Sequence, residues 1–263
     1  NAVDLSITDE QMPEEWDLGE LNTLLLPIVP IKPVVLPEDK KIMLSKISVV
    51  IDEYVEEYHL DALAIRCWNE METILRVCPC VLLSELNDRG IATSCEIDLT
   101  SAISMRAMQL ASEQPTAVLD WNNNYGDAED KLILFHCGSC AQSLMTKKGT
   151  VTSHKMFDKG DPGSGWGTNE GRIRPFKTTI SNCLTVDGKI KIYASEAEFT
   201  DDPIEDAYFG CAGVCQIPNM EDKMIRLARG GFKHHTCVGV GHMKDILKEA
   251  FTTYLGYEWV DID

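Results

Sequence analysis

The chain has 263 residues, 44% of them hydrophobic and 25% charged, with a formal net charge of −18. That length suits one large or two modest domains. The acidity argues against nucleic acid and anionic membrane surfaces, both of which are held by Lys and Arg, and favours a neutral ligand.

No apolar run reaches the roughly 18 residues that a membrane-spanning helix needs. The longest, near Leu24–Val35, is broken by Pro27, Pro30 and Pro33. No basic stretch followed by an apolar one opens the chain, so a cytoplasmic location is expected. The ten cysteines are read accordingly as buried, reduced thiols.

In chain order, residues 1–39 are acidic and proline-punctuated, with one short helix expected near Leu18–Leu26. Pro37-Glu38-Asp39 starts a helix, and Met43, Ile47, Ile51, Tyr54 and Tyr58 continue it at helical spacing. Ala62–Cys67 is a short apolar strand, Pro79–Asn87 a helix, Ile91–Ile97 a strand, Leu99–Ser112 a helix and Thr116–Trp121 a strand. This alternation predicts an α/β fold with a partial, parallel, doubly wound sheet. The pattern then changes to a mostly antiparallel β region with a terminal helix. Lys131–His136 is a strand, and residues 146–171 read as a long glycine-rich loop. Arg172–Phe199 is a hairpin turning at Asp187-Gly188, Phe232–Val240 a strand, and Lys244–Tyr254 a helix ended by Gly256. The expected division is an α/β domain over 1–112 and a β-rich domain over 113–263.

Three places could carry chemistry. Cys-Glu-Ile-Asp at 95–98 ends a strand and opens a helix, the edge of a parallel sheet at which ligands bind. Asp120 ends the next strand and would emerge on the same edge. Glu96 and Asp120 then either share a metal and divide acid and base roles, or serve as a helix cap and a turn former; Asp98 or Thr100 is a cap. His234-His235 lies in an apolar strand, as a metal ligand suited to Mn²⁺ or Fe²⁺ beside two carboxylates, or as a core histidine. His136-Cys137-Gly138-Ser139-Cys140 contains a CxxC, readable as half a zinc site or a redox pair, but no second CxxC stands at zinc-ribbon spacing. The glycine-rich stretch GDPGSGWGTNEG, 160–171, lacks the Lys-Ser/Thr of a phosphate loop.

The stretch CEIDLTSAISMRAMQLASEQPTAVLDW, beginning at Cys95, resembles the segment joining the second and third domains of L-fucose isomerases. So do RCWNEM (66–71), PCVLLSELNDRG (79–90) and LFHCGSC (134–140), while KHHTCVGVGHMKDILKEAFTTYLG (233–256) resembles the family's closing strand and helix. The resemblance covers roughly residues 40–263 and is weak over 1–39 and 146–171.

It implies a divalent metal, usually manganese, held by Glu96, Asp120 and His235. It implies an aldose–ketose isomerase acting on a fucose- or arabinose-like monosaccharide through a cis-enediol, with Glu96 and Asp120 as the catalytic acid and base. His136, His234, Trp68 and Asn122 are candidates for binding the sugar. Family members carry a further N-terminal domain and work as oligomers, so a homo-oligomer is implied for the whole protein. The alternative is a non-catalytic carbohydrate- or metal-binding module on the same fold.

Overall fold

The structure is a computed structural model that describes residues 36–205 and 208–263, and of Asp158 the backbone only. The helix expected near Leu18–Leu26 lies outside the described residues. Among those residues no helix is long and apolar enough to cross a membrane.

Helix α1, Glu38–Glu57, begins after Pro37 with Glu38 and Asp39 in its first turn, where acids complement the unsatisfied amide groups. It buries Leu44, Ile47, Val50 and Ile51, the stripe its helical spacing requires. Strand β1 (Ala62–Ala64), short helix α2 (Glu70–Ile74), helix α3 (Cys80–Asp88), strand β2 (Ala92–Ser94) and helix α4 (Leu99–Ser112) follow.

Among the described residues the doubly wound sheet is not found. The parallel ladder in this region joins β1 to β2, with Ala62 opposite Ala92 and Ala64 opposite Ser94, and one isolated parallel bridge links Val77 to Trp166. The next strand, β3 (Thr116–Asn124), leaves that sheet and pairs antiparallel with β4 (Lys131–His136) and β10 (His235–Val240). Asp120 therefore does not stand on a parallel-sheet edge beside Glu96. A short apolar strand followed by a turn has the same local pattern in either sheet, and only long-range pairing separates the two.

The remaining strands are β5 (Thr150–Ser153), β6 (Trp166–Arg172), β7 (Phe176–Val186), β8 (Lys189–Phe199), β9 (Cys211–Gln216) and β11 (Glu258–Trp259). The large sheet has the order β11-β8-β7-β10-β3-β4-β9-β6-β5. An added pairing of Glu198 and Phe199 with Gln216 and Cys215 joins β8 to β9 and closes six of these strands into a barrel-like ring. The hairpin β7–β8 turns at Asp187-Gly188 as expected.

Residues 146–171 are not one long loop. They hold β5, the short helix α5 (Lys155–Gly160) and β6. Their glycines serve close backbone approach. An added Cβ at Gly167 would stand 1.9 Å from the Cys78 carbonyl oxygen, and Cys78 N–H donates to the Trp166 carbonyl at 2.7 Å. The glycines that suggested mobility mark a packed crossing of chains. Helix α6 (Met220–Arg229) follows β9; the C-terminal helix α7 (Lys244–Glu249) runs into a π-helical turn, Ala250–Tyr254, before Gly256 in the left-handed region.

Alternation along the barrel strands fixes what each face meets. Ala117, Leu119, Leu132, Leu134, Ile180 and Val238 belong to one core cluster. Val118 and Cys237 belong to another, shared with Met105 and Met108 of α4 and with the helices α1 and α3. Asp120 and His235 follow the alternation of Val118 and Cys237, so they lie on the face that α4 covers, at the end where α4 begins.

Candidate metal centre

Three separate pieces of chain converge there. The first is the turn Cys95–Asp98 between β2 and α4. Glu96 and Ile97 both have positive φ, 59° and 56°. Consecutive left-handed residues without glycine, one of them β-branched, are costly and persist only when surroundings impose them. Here the Ile97 amide donates to the Ile65 carbonyl at 3.1 Å, the Asp98 amide to Cys95 at 3.0 Å, and the Glu96 amide to the Cys67 sulfur at 3.4 Å. The turn directs Glu96 toward β3 and β10.

The second and third pieces are β3 and β10, in which Asp120 and His235 are register partners. His235 is buried. Its Nε2 lies 3.4 Å from Asp120 Oδ1 and 3.6 Å from Glu96 Oε2. Its Nδ1 lies 2.7 Å from Asp98 Oδ2. Asp98 also caps α4 by accepting from the Ser101 amide at 3.0 Å, and it accepts from Lys233.

Burial opposes the charge on Asp98, but hydrogen bonds from His235, Lys233 and Ser101 outweigh it and hold the carboxyl well below the usual range. Burial likewise opposes a charge on His235; the bond to Asp98 and the carboxylates of Asp120 and Glu96 reverse that and raise its pKa.

Two buried atoms at the centre, His235 Nε2 and Asp120 Oδ1, make no hydrogen bond among the described residues. Buried polar atoms are rarely left so, and here both face the same point as Glu96. In formal charges, the carboxylates of Glu96, Asp98 and Asp120 against the Lys233 ammonium give −3 + 1 = −2. Two carboxylate oxygens and one imidazole nitrogen form a hard-to-borderline donor set matching Mn²⁺, Fe²⁺ or a similar divalent ion in both ligand type and charge. The residues present therefore fit such an ion.

His136, at the end of β4, is buried beside this group. The Cys137 amide donates to its Nδ1 at 2.9 Å, and its Nε2 lies 3.0 Å from Cys95 Sγ. Ligand atoms of Asp120, His136 and His235 lie within 4.8 Å of one another, as do those of Cys95, Glu96 and His136. His234 is exposed on the rim, its Nε2 3.5 Å from Asp120 Oδ1. Trp68 sits one residue beyond Cys67 and packs edge-on against His154 and Phe157, with ring centres 5.6 and 5.0 Å apart. Asn122 is exposed where β3 bulges.

The CxxC thiols diverge. Cys137 Sγ lies 3.3 Å from Cys80 Sγ, while Cys140 turns to the Ala141 carbonyl at 3.7 Å. Sequence reasoning gave Asp98 only a capping role and gave Lys233 none. The available signal was the Glu-x-Asp spacing at the mouth of a helix, two carboxylates of which one remains free once the other caps.

Residues 134–263 match the family described as L-fucose isomerase, C-terminal domain. Sulfoquinovose isomerase of Priestia aryabhattai is 24% identical over 207 residues, which cover 78% of this chain and 45% of that protein. The same values hold for sulfoquinovose isomerase of Priestia megaterium. That of Alkalicoccus urumqiensis is 34% identical over 92 residues, 35% of this chain and 21% of that protein. The chain thus spans about half the length of the curated relatives it matches over most of its length, 45% in both. Residues 134–263 are thus a C-terminal domain of the L-fucose isomerase family, and similarity to the sulfoquinovose isomerases extends over 78% of the sequence.

Proposed function

We propose that the protein to which this chain belongs is a divalent-metal-dependent aldose–ketose isomerase acting on a monosaccharide. The observation that carries the reading is the convergence of Glu96 and Asp120 oxygens on His235 Nε2, at 3.6 and 3.4 Å, with the two buried atoms left without hydrogen bonds among the described residues. The similarity to sugar isomerases supplies the reaction class.

Glu96, Asp120 and His235 would hold the ion, with Mn²⁺ the first choice. When bound, the ion supplies Lewis acidity that polarises a sugar carbonyl and its neighbouring hydroxyl. Glu96 and Asp120 divide the proton transfers: one carboxylate takes the proton from one carbon to give a cis-enediol and, as the acid so formed, returns it to the adjacent carbon, while the other relays the hydroxyl proton between the two oxygens. His235 anchors the ion. His136, buried with the Cys137 amide on its Nδ1 and Cys95 Sγ beside its Nε2, backs the sugar-binding side of the site. His234 and Asn122 bind hydroxyls from the rim, and Trp68 forms part of an apolar wall. A fucose- or arabinose-like sugar and a homo-oligomeric whole protein follow the resemblance.

Calorimetry with Mn²⁺ tests this on the wild-type chain and on Glu96→Gln, Asp120→Asn and His235→Ala. Saturable binding that each substitution weakens while the protein stays folded supports the site. A monosaccharide panel assayed for ketose formation with the full-length protein then tests the reaction. Binding without turnover of any sugar would favour the binding module, and unchanged binding in all three variants would overturn the metal centre.

A further inference from the structure

We infer that Asp98 is a positioning residue that makes His235 a metal ligand, by fixing which imidazole nitrogen carries the hydrogen. This rests on the metal centre proposed above and extends it to a residue outside the ligand set.

A helix cap needs one acceptor for one amide in the first turn, and Ser101 N–H on Asp98 Oδ1 at 3.0 Å meets that need. Asp98 does much more. Its Oδ2 faces His235 Nδ1 at 2.7 Å, and its Oδ1 also takes Thr100 Oγ1 at 3.1 Å and the ammonium of Lys233. The Ser101 hydroxyl donates to Oδ2 as well. Nearly every lone pair of this buried carboxylate is engaged, so its orientation has no freedom.

A carboxylate without a hydrogen can only accept, so the hydrogen at the 2.7 Å contact belongs to His235 Nδ1. A neutral imidazole has one ring hydrogen. Held at Nδ1, it leaves the Nε2 lone pair directed at Glu96 and Asp120. The opposite tautomer would put a hydrogen into the metal position. The separations of 3.4 and 3.6 Å from Nε2 to the two carboxylates are long for direct hydrogen bonds and suit donors that share a third body.

Lys233 completes the arrangement. It stands two residues before His235, just ahead of β10, and reaches back to Asp98 and Thr100 at the start of α4. Its charge offsets that of Asp98, so Asp98 orients the imidazole without adding an uncompensated negative charge.

The experiment is nitrogen NMR of histidine tautomers in the metal-free protein at alkaline pH, paired with Mn²⁺ calorimetry. Wild type should show His235 as the Nδ1–H form. Asp98→Asn should shift it toward a mixture or the Nε2–H form and weaken Mn²⁺ by about 10- to 100-fold, the usual effect of removing such a partner. Ser101→Ala removes the hydroxyl contact but not the Asp98–His235 contact. It should lower thermal stability yet keep the tautomer and hold Mn²⁺ affinity within about twofold, an order-of-magnitude expectation for a change outside the ligands. An Nε2–H form in wild type overturns the inference, even if Asp98→Asn folds poorly. So does an Asp98→Asn protein with wild-type tautomer and affinity. If wild type shows the Nδ1–H form but binds no Mn²⁺, the metal reading fails and the orienting contact stands.

Discussion

Asp120 and His235 face each other across the antiparallel strands β3 and β10, 115 positions apart in sequence, and their side chains meet on the outer face of the barrel. The sheet register places them, and the strained Glu96 turn reaches over from the neighbouring parallel sheet. The centre is therefore assembled from two sheets and closed by α4.

The Asp120 carboxylate has one buried oxygen without a hydrogen bond among the described residues and shares its surroundings with two further carboxylates. Asp120→Asn should accordingly stabilise the metal-free protein slightly, by about 0.5–1 kcal/mol, while abolishing the Mn²⁺-dependent rise in melting temperature. Scanning calorimetry with and without Mn²⁺ reads both effects. A loss of metal-free stability would show that the carboxylate holds the fold together.

Ile97 is half exposed and left-handed, so it contributes strain and little burial. Ile97→Gly should leave stability unchanged or raise it by about 1 kcal/mol, since relief of the strained backbone competes with the greater freedom of an unfolded glycine. The same change should weaken Mn²⁺ binding by loosening Glu96. Denaturant unfolding and metal titration of one variant measure the two together. A large loss of stability would mean that the turn is not strained.

Gly167 admits no side chain, because its φ is +122° and the Cys78 carbonyl oxygen occupies the Cβ position. Gly167→Ala should cost about 2–4 kcal/mol, combining overpacking with backbone strain. Chemical denaturation checks it. Gly188→Ala offers a comparison: its φ is +75° but no atom of the described residues lies within 4 Å of an added Cβ, so only the conformational cost of about 1 kcal/mol is expected.

Glu72 is buried in α2, and its Oε2 has no hydrogen bond among the described residues. Burial pushes its carboxyl from 4.5 up to about 7. Between these values the folded state holds a proton that the unfolded chain has released. Stability from this group is therefore present below the unfolded value and lost as pH rises through about 7. Glu72→Gln should remove that slope and raise stability above about pH 8 by up to about 3 kcal/mol. Urea unfolding at several pH values measures it; parallel wild-type and variant curves would contradict it.

Part of the candidate site was legible because its residues lie at sequence-visible junctions, from which the family resemblance singled out Glu96, Asp120 and His235. Cys95–Asp98 falls between an apolar strand and a helix whose amphipathic pattern begins at once, and His235 opens an alternating strand. Helices α1, α3 and α4 and the β7–β8 hairpin were legible for the same reason: helical spacing, strand alternation and the Asp187-Gly188 turn are local properties. The glycine-rich stretch misled because local composition cannot distinguish a glycine needed for freedom from one needed for close approach, and Gly167 is of the second kind.

Tertiary structure alone decided the rest. The sequence by itself determined which residue types were available and where segments begin and end. Pairing over long separations decided that β3 joins β10 rather than β2, and so brings Asp120 opposite His235. It also decided that Asp98 turns from helix cap to histidine partner, because Lys233 and His235 arrive from a strand more than a hundred residues later. Strand partners are set by the global burial of both faces of the sheet, which no local window contains.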